Sequence, residues 1–328
     1  MTKTDILMPG PMMPSVIEAL DRDFVLHRLW EQSDREAFLR EVGPRIRGLA
    51  ASTVAGRTDG TLLGHLPNLE VIASFGVGYD NVDVVEAARR GIVVTNTPDV
   101  LNAEVADLTI GLLIATLRQI PQADRYLRAG QWLKAPFPLS PTLRERKVGI
   151  IGLGRIGKAI ARRLEGFDVS IAYHGRTRQE GVAYAYHPTL KGMAEACDVL
   201  IAITPGGAST KHLINAEILK ALGPNGVLIN VARGSVVDER ALIEALRSKT
   251  ILAAGLDVFE DEPRVPQELI DMENVVLLPH VASASVHTRR AMGQLVVDNL
   301  ISWFEGKGPL TPVPETPWSA VELPAAAG

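Results

Sequence analysis

Short runs of β-branched and aliphatic residues alternate with amphipathic stretches along most of the chain. In the first third the apolar runs fall at residues 5–8, 24–29, 46–51, 71–74 and 92–95, with amphipathic segments at 16–19, 34–41 and 83–90 between them. That alternation predicts a parallel β-sheet covered by helices. Gly91, after Arg89-Arg90, marks a helix C-terminus feeding a strand. From Asn102 to about Arg128 the period changes, and Leu108, Leu112, Ala115 and Ile120 recur at helical spacing. This predicts one long helix, broken near Pro121. Residues 130–141 carry three prolines and read as a loop. A second βα series starts at Lys147, with strands expected at 148–151, 169–173, 199–203, 227–231, 251–256 and 275–278. Its helices are expected at 155–165, 190–196, 216–222 and 238–247, and a last one at 285–304. After Gly308 proline and alanine dominate and an irregular tail is expected.

Length and charge narrow the function. At 328 residues the chain is long enough for two domains, taking roughly 150 residues for each. The net charge of -4, from 34 basic and 38 acidic residues, argues against a nucleic-acid partner and a polybasic membrane patch. Aromatic residues make up only 5%, too few for single-strand stacking platforms. The single cysteine, Cys197, allows neither an internal disulfide nor a cysteine-based zinc site. No metal site is expected, and Cys197 reads as a core residue. The N-terminal segment has no basic stretch followed by an apolar run, and no apolar stretch reaches the length of a membrane span. A soluble, cytoplasmic α/β protein is therefore expected.

The first chemical signal is a glycine turn in context. Lys147-Val-Gly-Ile-Ile151 runs straight into Gly152-Leu-Gly154-Arg155-Ile156-Gly157, an apolar helix follows, and a second strand ends at Tyr173. The first glycine permits the tight turn, the second lets a pyrophosphate approach the backbone, and the third lets helix and strand pack closely. The helix N-terminus offers free N–H groups to phosphate. NAD-binding versions carry an acid at the end of the second strand for the ribose 2′-hydroxyl. Here that place reads Tyr173-His174-Gly175-Arg176-Thr177-Arg178. No acid is present. The two arginines suit a 2′-phosphate, and His174 and Thr177 can donate hydrogen bonds. NADP(H) is therefore expected over NAD(H).

Three further segments place polar residues just past predicted strands: Arg233 in Ile229-Asn-Val-Ala-Arg233, Asp257 and Glu262 in Leu256-Asp-Val-Phe-Glu-Asp-Glu262, and His280 in Leu278-Pro-His280. Ligands of open α/β sheets bind outside the carboxyl ends of the strands, so these four residues can converge on one crevice. Together with the glycine turn, with Phe75-Gly-Val-Gly-Tyr-Asp-Asn-Val-Asp83, Val94-Thr-Asn-Thr-Pro98, Ala103-Glu-Val-Ala-Asp107 and Val231-Ala-Arg-Gly-Ser235, they make the chain resemble the D-isomer-specific 2-hydroxyacid dehydrogenases over nearly its whole length. Within that family the chain is most similar to the NADPH-dependent glyoxylate/hydroxypyruvate reductases. Thr97-Pro-Asp-Val-Leu-Asn102 is also similar to plant hydroxyphenylpyruvate reductases.

The resemblance implies two Rossmann-like or flavodoxin-like doubly wound parallel-sheet domains with a cleft between them that closes over the cofactor. Residues 1–103 and 284–328 would form the substrate domain and 104–283 the NADP-binding domain. It implies that Arg233 clamps the carboxylate of a small 2-keto acid and that the N–H groups of Val77 and Gly78 hold its second oxygen. His280 would donate a proton to the keto oxygen, and Glu262 would orient it and favour its charged form; Glu260 and Asp261 are neighbouring candidates for that partner. Asp257 would bond the nicotinamide carboxamide, Thr204 and Pro205 would lie along the adenosine ribose and pyrophosphate, and Thr109 would approach the phosphates. Val231, Ala232, Arg233, His280 and Ser283 complete the implied cofactor contacts. His212 and His287 read as surface helix residues. Trp132 either reaches a partner subunit's site or anchors its own loop. The long helix, 103–118, is too apolar to be covered on one side alone, and a C2 homodimer through it is expected by analogy with the family. The implied reaction is reduction of glyoxylate to glycolate or hydroxypyruvate to D-glycerate. The rival substrates are aromatic 2-keto acids, and the rival class is a dinucleotide-sensing interaction protein.

Overall fold

In the computed structural model, which describes residues 3–52, 56–316 and 318, the chain divides into two units, Met1–Leu101 with Ser285–Gly328 and Asn102–Ala284. The first unit builds β1 (Asp5–Met8), α1 (Pro14–Asp23), β2 (Val25–Arg28), α2 (Arg35–Val42), β3 (Gly48–Ser52), α3 (Gly60–Gly64), β4 (Val71–Phe75), α4 (Val84–Arg89) and β5 (Val93–Thr95). Helix starts are set by acidic caps. Asp34 accepts the Ala37 N–H and Asp83 accepts the Glu86 N–H, each satisfying a first-turn donor. Gly91, at φ +74, takes the left-handed turn after α4 that leads into β5. The strands pair in parallel in the order β2-β1-β3-β4-β5, the flavodoxin-like arrangement.

The second unit opens with α5 (Asn102–Arg118) and α6 (Ile120–Arg128). The expected long helix breaks one residue before Ile120, where Gln119 turns left-handed at φ 52 and Pro121 sits in the first turn of α6. Proline is tolerated there because its missing N–H has no intrahelical acceptor. The unit continues through β6 (Lys147–Ile151), α7 (Arg155–Leu164), β7 (Ser170–His174), β8 (Ala185–Tyr186), α8 (Leu190–Ala196), β9 (Val199–Ala202), α9 (Ala216–Leu222), β10 (Val227–Asn230), α10 (Glu239–Arg247), β11 (Ala253–Leu256), α11 (Gln267–Asp271) and β12 (Val275–Leu277). Its seven strands are all parallel in the order β12-β11-β10-β9-β6-β7-β8. Read from β6 this is the Rossmann order with one strand added at the far edge. The two parallel-sheet α/β folds are those expected from the pattern.

Successive residues of a strand point to opposite faces, and this sheet is buried on both. Val199, Ile201, Val227 and Ile229 enter one core, and Leu200, Ala202, Leu228 and Ala254 enter the other. That is why β9 and β10 read as continuous apolar runs. Helix α5 lies against the first of these cores through Ala106, Ile110, Leu113 and Leu117. Gly255 lets it cross β11 closely, since a Cβ there would stand 2.5 Å from Thr116 Oγ1. One face of α5 is thus covered within its own unit, while Leu108, Ile114 and Ala115 are half-buried and Ala103, Asp107, Gly111 and Arg118 are exposed.

The chain returns to the first unit along α12 (Val286–Phe304), capped by Ser285, whose side chain accepts the Thr288 N–H. It packs on α1 at Gly293, where a Cβ would meet Val16 Cγ2 at 2.4 Å. The tail beyond is irregular yet anchored as far as Thr316, and most of the rest of the expected irregular tail lies outside the described residues. Thr95 and Pro312 form an antiparallel bridge and the Val313 N–H donates to Val94 O at 2.9 Å. Edge strand β5 is thereby covered. The short α3, α11 and β8 were not foreseen, because five residues or fewer carry too little periodicity to register.

Candidate active site

The glycine turn and most of the polar residues singled out in the second unit lie at or just past the carboxyl ends of strands. Gly152 follows β6, His174 ends β7, Thr204 follows β9, Arg233 follows β10, Asp257 follows β11 and His280 follows β12. The parallel sheet thus delivers them to one edge. A cavity of about 890 Å³ lies at the opposite ends of the strands, lined by Val227, Ala253 and Val275, away from this chemistry.

The glycine turn shows three different needs. Gly152 has φ +97, and Gly157 is packed so that a Cβ would lie 2.2 Å from Gly152 O. A Cβ on Gly154 would meet nothing within 4 Å, so the protein's own packing does not demand glycine there. No side chain caps α7. Its first N–H groups and the bare Gly154 backbone form a cradle that suits a pyrophosphate. At the end of β7, His174 Nδ1 donates to His187 O at 2.9 Å, leaving Nε2 for another partner. Arg176, Thr177 and Arg178 are exposed, and among the described residues neither guanidinium has an ion-pair partner. The loop is held by a residue the sequence reading missed. Gln179 Nε2 donates to Leu153 O at 2.8 Å, and its N–H donates to the buried Tyr173 hydroxyl at 2.8 Å. Gln179 therefore ties the arginine loop to the glycine turn, and nothing but its position after the loop could have signalled it. These residues fit a dinucleotide with a 2′-phosphate.

His280 and Glu262 come together. The Nδ1 N–H of His280 donates to Glu262 Oε2 at 2.7 Å, and Glu262 Oε1 accepts the Phe259 N–H at 3.0 Å. Burial by itself would raise the Glu262 carboxyl. The hydrogen bond and charge of His280, the Phe259 N–H and the charge of Arg233 outweigh it and hold that carboxyl below the usual carboxylate range. The imidazole is aimed by an unusual backbone, with His280 at φ 53. The turn is held by Asp257, which is 0% exposed. Its two carboxylate oxygens accept the Val281 and Ala282 N–H groups at 2.7 and 2.9 Å, and its main-chain oxygen accepts the His280 N–H at 2.8 Å. Burial pushes the Asp257 carboxyl up, against the two backbone donors. Asp257 thus supports the His280 turn, a contact the sequence did not suggest.

Arg233 is brought beside this pair by a glycine. A Cβ on Gly234 would lie 1.9 Å from Phe259 C, so only glycine lets the Arg233 loop rest on the backbone that leads to Glu262. The buried Asn230 shapes the approach, its Nδ2 donating to Arg233 O at 3.1 Å and its Oδ1 accepting the Ala232 N–H at 3.1 Å. Val231 and Ala232 are buried. Thr204 and Ser283 are half-buried, and Pro205 is exposed. Thr109 departs from expectation. It is 0% exposed and its hydroxyl donates to Val105 O at 2.6 Å within α5, a back-bond common for helical threonine that turns it away from any phosphate. His212 is no helix residue. It occupies a left-handed turn at φ 52 and its Nε2 lies 2.9 Å from Glu260 Oε1. Glu260 is therefore engaged elsewhere, which leaves Glu262 to His280. His287 is exposed on α12, and Trp132 is 68% exposed, so the tryptophan is no packed anchor.

In the first unit, Val77 and Gly78 follow β4 in a turn that starts at Gly76, φ +150. The Gly76 carbonyl accepts the Thr97 N–H at 2.9 Å and the Val77 carbonyl accepts Asn96 Nδ2 at 2.9 Å. Among the described residues the N–H groups of Val77 and Gly78 have no acceptor.

Comparison with known proteins agrees with this geometry. Residues 110–282 match the model of the D-isomer specific 2-hydroxyacid dehydrogenase NAD binding domain. The chain is 46% identical to a glyoxylate/hydroxypyruvate reductase A of Arabidopsis thaliana, over 95% of this chain and 100% of that protein. It is likewise 46% identical to a hydroxyphenylpyruvate reductase of Plectranthus scutellarioides, over 94% and 98%. Among solved structures it is similar to an NADPH-dependent glyoxylate/hydroxypyruvate reductase of Sinorhizobium meliloti in complex with NADP and malonate. That similarity has a TM-score of 0.92 and 58% identity, covering 97% of this chain and 98% of that one. Fold, strand-end residues and these relatives converge, and the chain belongs to the D-isomer-specific 2-hydroxyacid dehydrogenase family.

Proposed function

We propose that this oxidoreductase reduces small 2-keto acids with NADPH, taking glyoxylate to glycolate and hydroxypyruvate to D-glycerate. The observation that carries the reading is the Glu262–His280 hydrogen bond of 2.7 Å at the strand edge that also presents Arg233. Held at the glycine turn and the Arg176–Arg178 loop, the cofactor would supply the hydride for the keto carbon. Arg233 pairs with the substrate carboxylate and turns the keto group toward His280, and the N–H groups of Val77 and Gly78 hold the second carboxylate oxygen. His280, with Nδ1–H held by Glu262, gives the proton on Nε2 to the keto oxygen as the hydride arrives. In the reverse direction the neutral imidazole accepts the alcohol proton. The preference for NADPH rests on the Arg176–Thr177–Arg178 loop, with no acid at the end of β7. In this reading residues 1–103 and 284–328 form the substrate domain and 104–283 the cofactor domain.

The protein is assigned to a reducing, cytoplasmic compartment on its single buried cysteine, and to a C2 homodimer. Support for a dimer through the long helix, 103–118, lies in its half-buried Leu108, Ile114 and Ala115 and in Leu127, Trp132, Leu133 and Leu139, apolar side chains left exposed beyond it.

Steady-state kinetics with glyoxylate, hydroxypyruvate, phenylpyruvate and hydroxyphenylpyruvate, each with NADPH and NADH, tests the assignment through kcat/KM ratios. The two small acids with NADPH should lead, with NADH about ten-fold or more behind. A lead for the aromatic acids would move the enzyme toward the Plectranthus relative's activity, and tight NADPH binding without turnover would mean a sensor. Exchanging Arg176 and Arg178 for alanine should raise the KM for NADPH far more than that for NADH. Equal losses would remove the 2′-phosphate role.

A further inference from the structure

The turn Gly76–Tyr79 is wired to the far end of the chain. We propose that the C-terminal strap, residues 310–316, is a positioning element for substrate binding, which holds the Val77 and Gly78 N–H groups in place through Asn96, Thr311 and Glu315. The proposal rests on the reading that those two N–H groups receive the substrate carboxylate.

In a trans peptide the C=O and the following N–H point in opposite directions. The Gly76 carbonyl is held by the Thr97 N–H, so the Val77 N–H of the same plane faces away from Thr97. The Val77 carbonyl is held by Asn96 Nδ2 at 2.9 Å, so the Gly78 N–H faces away from Asn96. Two successive N–H groups, both without an acceptor among the described residues, are thereby turned out from the β5 side. Such consecutive donors form an anion-binding concavity.

The strap holds Asn96. Thr311 Oγ1 donates to Asn96 O at 2.6 Å, and the Asn96 N–H donates to Thr311 O at 3.2 Å. Thr311 is itself fixed by Asn299 of α12, a fully buried side chain. Asn299 Nδ2 donates to Thr311 Oγ1 at 2.9 Å, and its Oδ1 accepts the N–H groups of Leu310 and Thr311 at 3.0 and 3.1 Å. Further along, Thr316 Oγ1 brackets the main chain of Val94, donating to its carbonyl and accepting its N–H. Between these anchors the Tyr79 hydroxyl donates to Glu315 Oε2 at 3.0 Å. Burial, and then Glu315, push that hydroxyl up to about 12, so it remains a donor. The turn is gripped from both sides, at Val77 by Asn96 and at Tyr79 by Glu315. Edge protection of β5 requires backbone pairing alone, and neither the Asn96–Val77 bond nor the Tyr79–Glu315 bond contributes to it.

The test uses Thr311→Val, which keeps shape and loses the hydroxyl, Thr311→Ser, which restores it, and Glu315→Ala, which removes the acceptor of the Tyr79 hydroxyl. Thr311→Val and Glu315→Ala should each raise the KM for glyoxylate about ten-fold, with a smaller change in kcat. NADPH affinity should stay within about two-fold and Thr311→Ser should recover the wild-type KM. In parallel, wild-type protein with bound NADP+ is labelled with carbonyl carbon-13 valine and nitrogen-15 glycine. Only Val42-Gly43, Val77-Gly78 and Val148-Gly149 then give coupled signals. Oxalate, a carboxylate with an adjacent carbonyl, should move the Gly78 signal. If it moves while both variants keep KM within about two-fold, the strap has no positioning role and the carboxylate reading survives. If Gly78 does not respond, the carboxylate reading of the turn fails and the proposal falls with it.

Discussion

At the scale of single residues, the acid–base pair proposed for His280 and Glu262 depends on groups that hold its backbone from behind. Asp257 is the clearest. An asparagine there keeps one oxygen and turns an amide N–H₂ toward either the Val281 or the Ala282 N–H, leaving a donor facing a donor. The His280 turn then loosens, and Asp257→Asn should lower kcat by about ten- to a hundred-fold. Its effect on Tm should be milder. Burial raises the Asp257 carboxyl. A raised group adds stability below its unfolded pKa and loses it as pH rises through the folded one. At neutral pH the ionised carboxylate is therefore a cost that asparagine removes. Comparing Tm and kcat at neutral pH checks the split, and a large Tm loss with unchanged kcat would contradict it. His280, Glu262, Arg233 and Asp257 were all legible as residues beyond strand ends. The left-handed backbone of His280 and the grip of Asp257 on it were not, since they arise from contacts between β11 and the loop after β12.

At the scale of elements, the glycine turn separates packing from binding. Gly157→Ala places a methyl 2.2 Å from Gly152 O, forcing α7 away from the turn after β6. A stability loss of about 1–3 kcal/mol is expected, seen as a lower Tm and weaker NADPH binding together. Gly154→Ala meets nothing within 4 Å at an ordinary φ of -77. It should leave Tm close to wild type and weaken NADPH in a direct titration. Equal Tm losses in the two variants would mean that both glycines serve packing. The motif announced itself in sequence because each glycine has a local reason. The break between α5 and α6 was legible to within about two residues, since the proline marks the new first turn and the left-handed residue precedes it.

At the scale of the whole molecule, two expectations concern what is covered. Cys197 is buried beside Met193 and Gly149, and burial, with the charge of Asp198, pushes its thiol up to about 11. A thiolate reagent should leave the native protein unlabelled at neutral pH and modify one site in denaturant. Labelling without denaturant would show that this core opens. For the dimer, Leu133→Asp with Leu139→Asp should shift the molar mass by light scattering from two chains to one. Leu133 is 92% exposed and Leu139 fully so, so folding should be untouched; an unchanged mass would move the interface elsewhere. Leucines in a proline-rich loop give no periodic signal, so the sequence points to α5 alone, the regular apolar segment beside them.

The amino-acid sequence by itself determined what depends on near neighbours. Strand and helix alternation, the glycine turn, the missing acid after Tyr173 and the placing of Arg233, Asp257, Glu262 and His280 beyond strand ends all follow from local periodicity and turn chemistry. Tertiary structure decided what depends on residues far apart in the chain. Only packing shows that Gly234 rests on Phe259, that Thr109 spends its hydroxyl on its own helix, and that a threonine 215 residues beyond Asn96 holds the turn carrying Val77 and Gly78. A hydrogen bond across such a separation leaves no periodic trace in sequence, because its partners are set by the path of the fold.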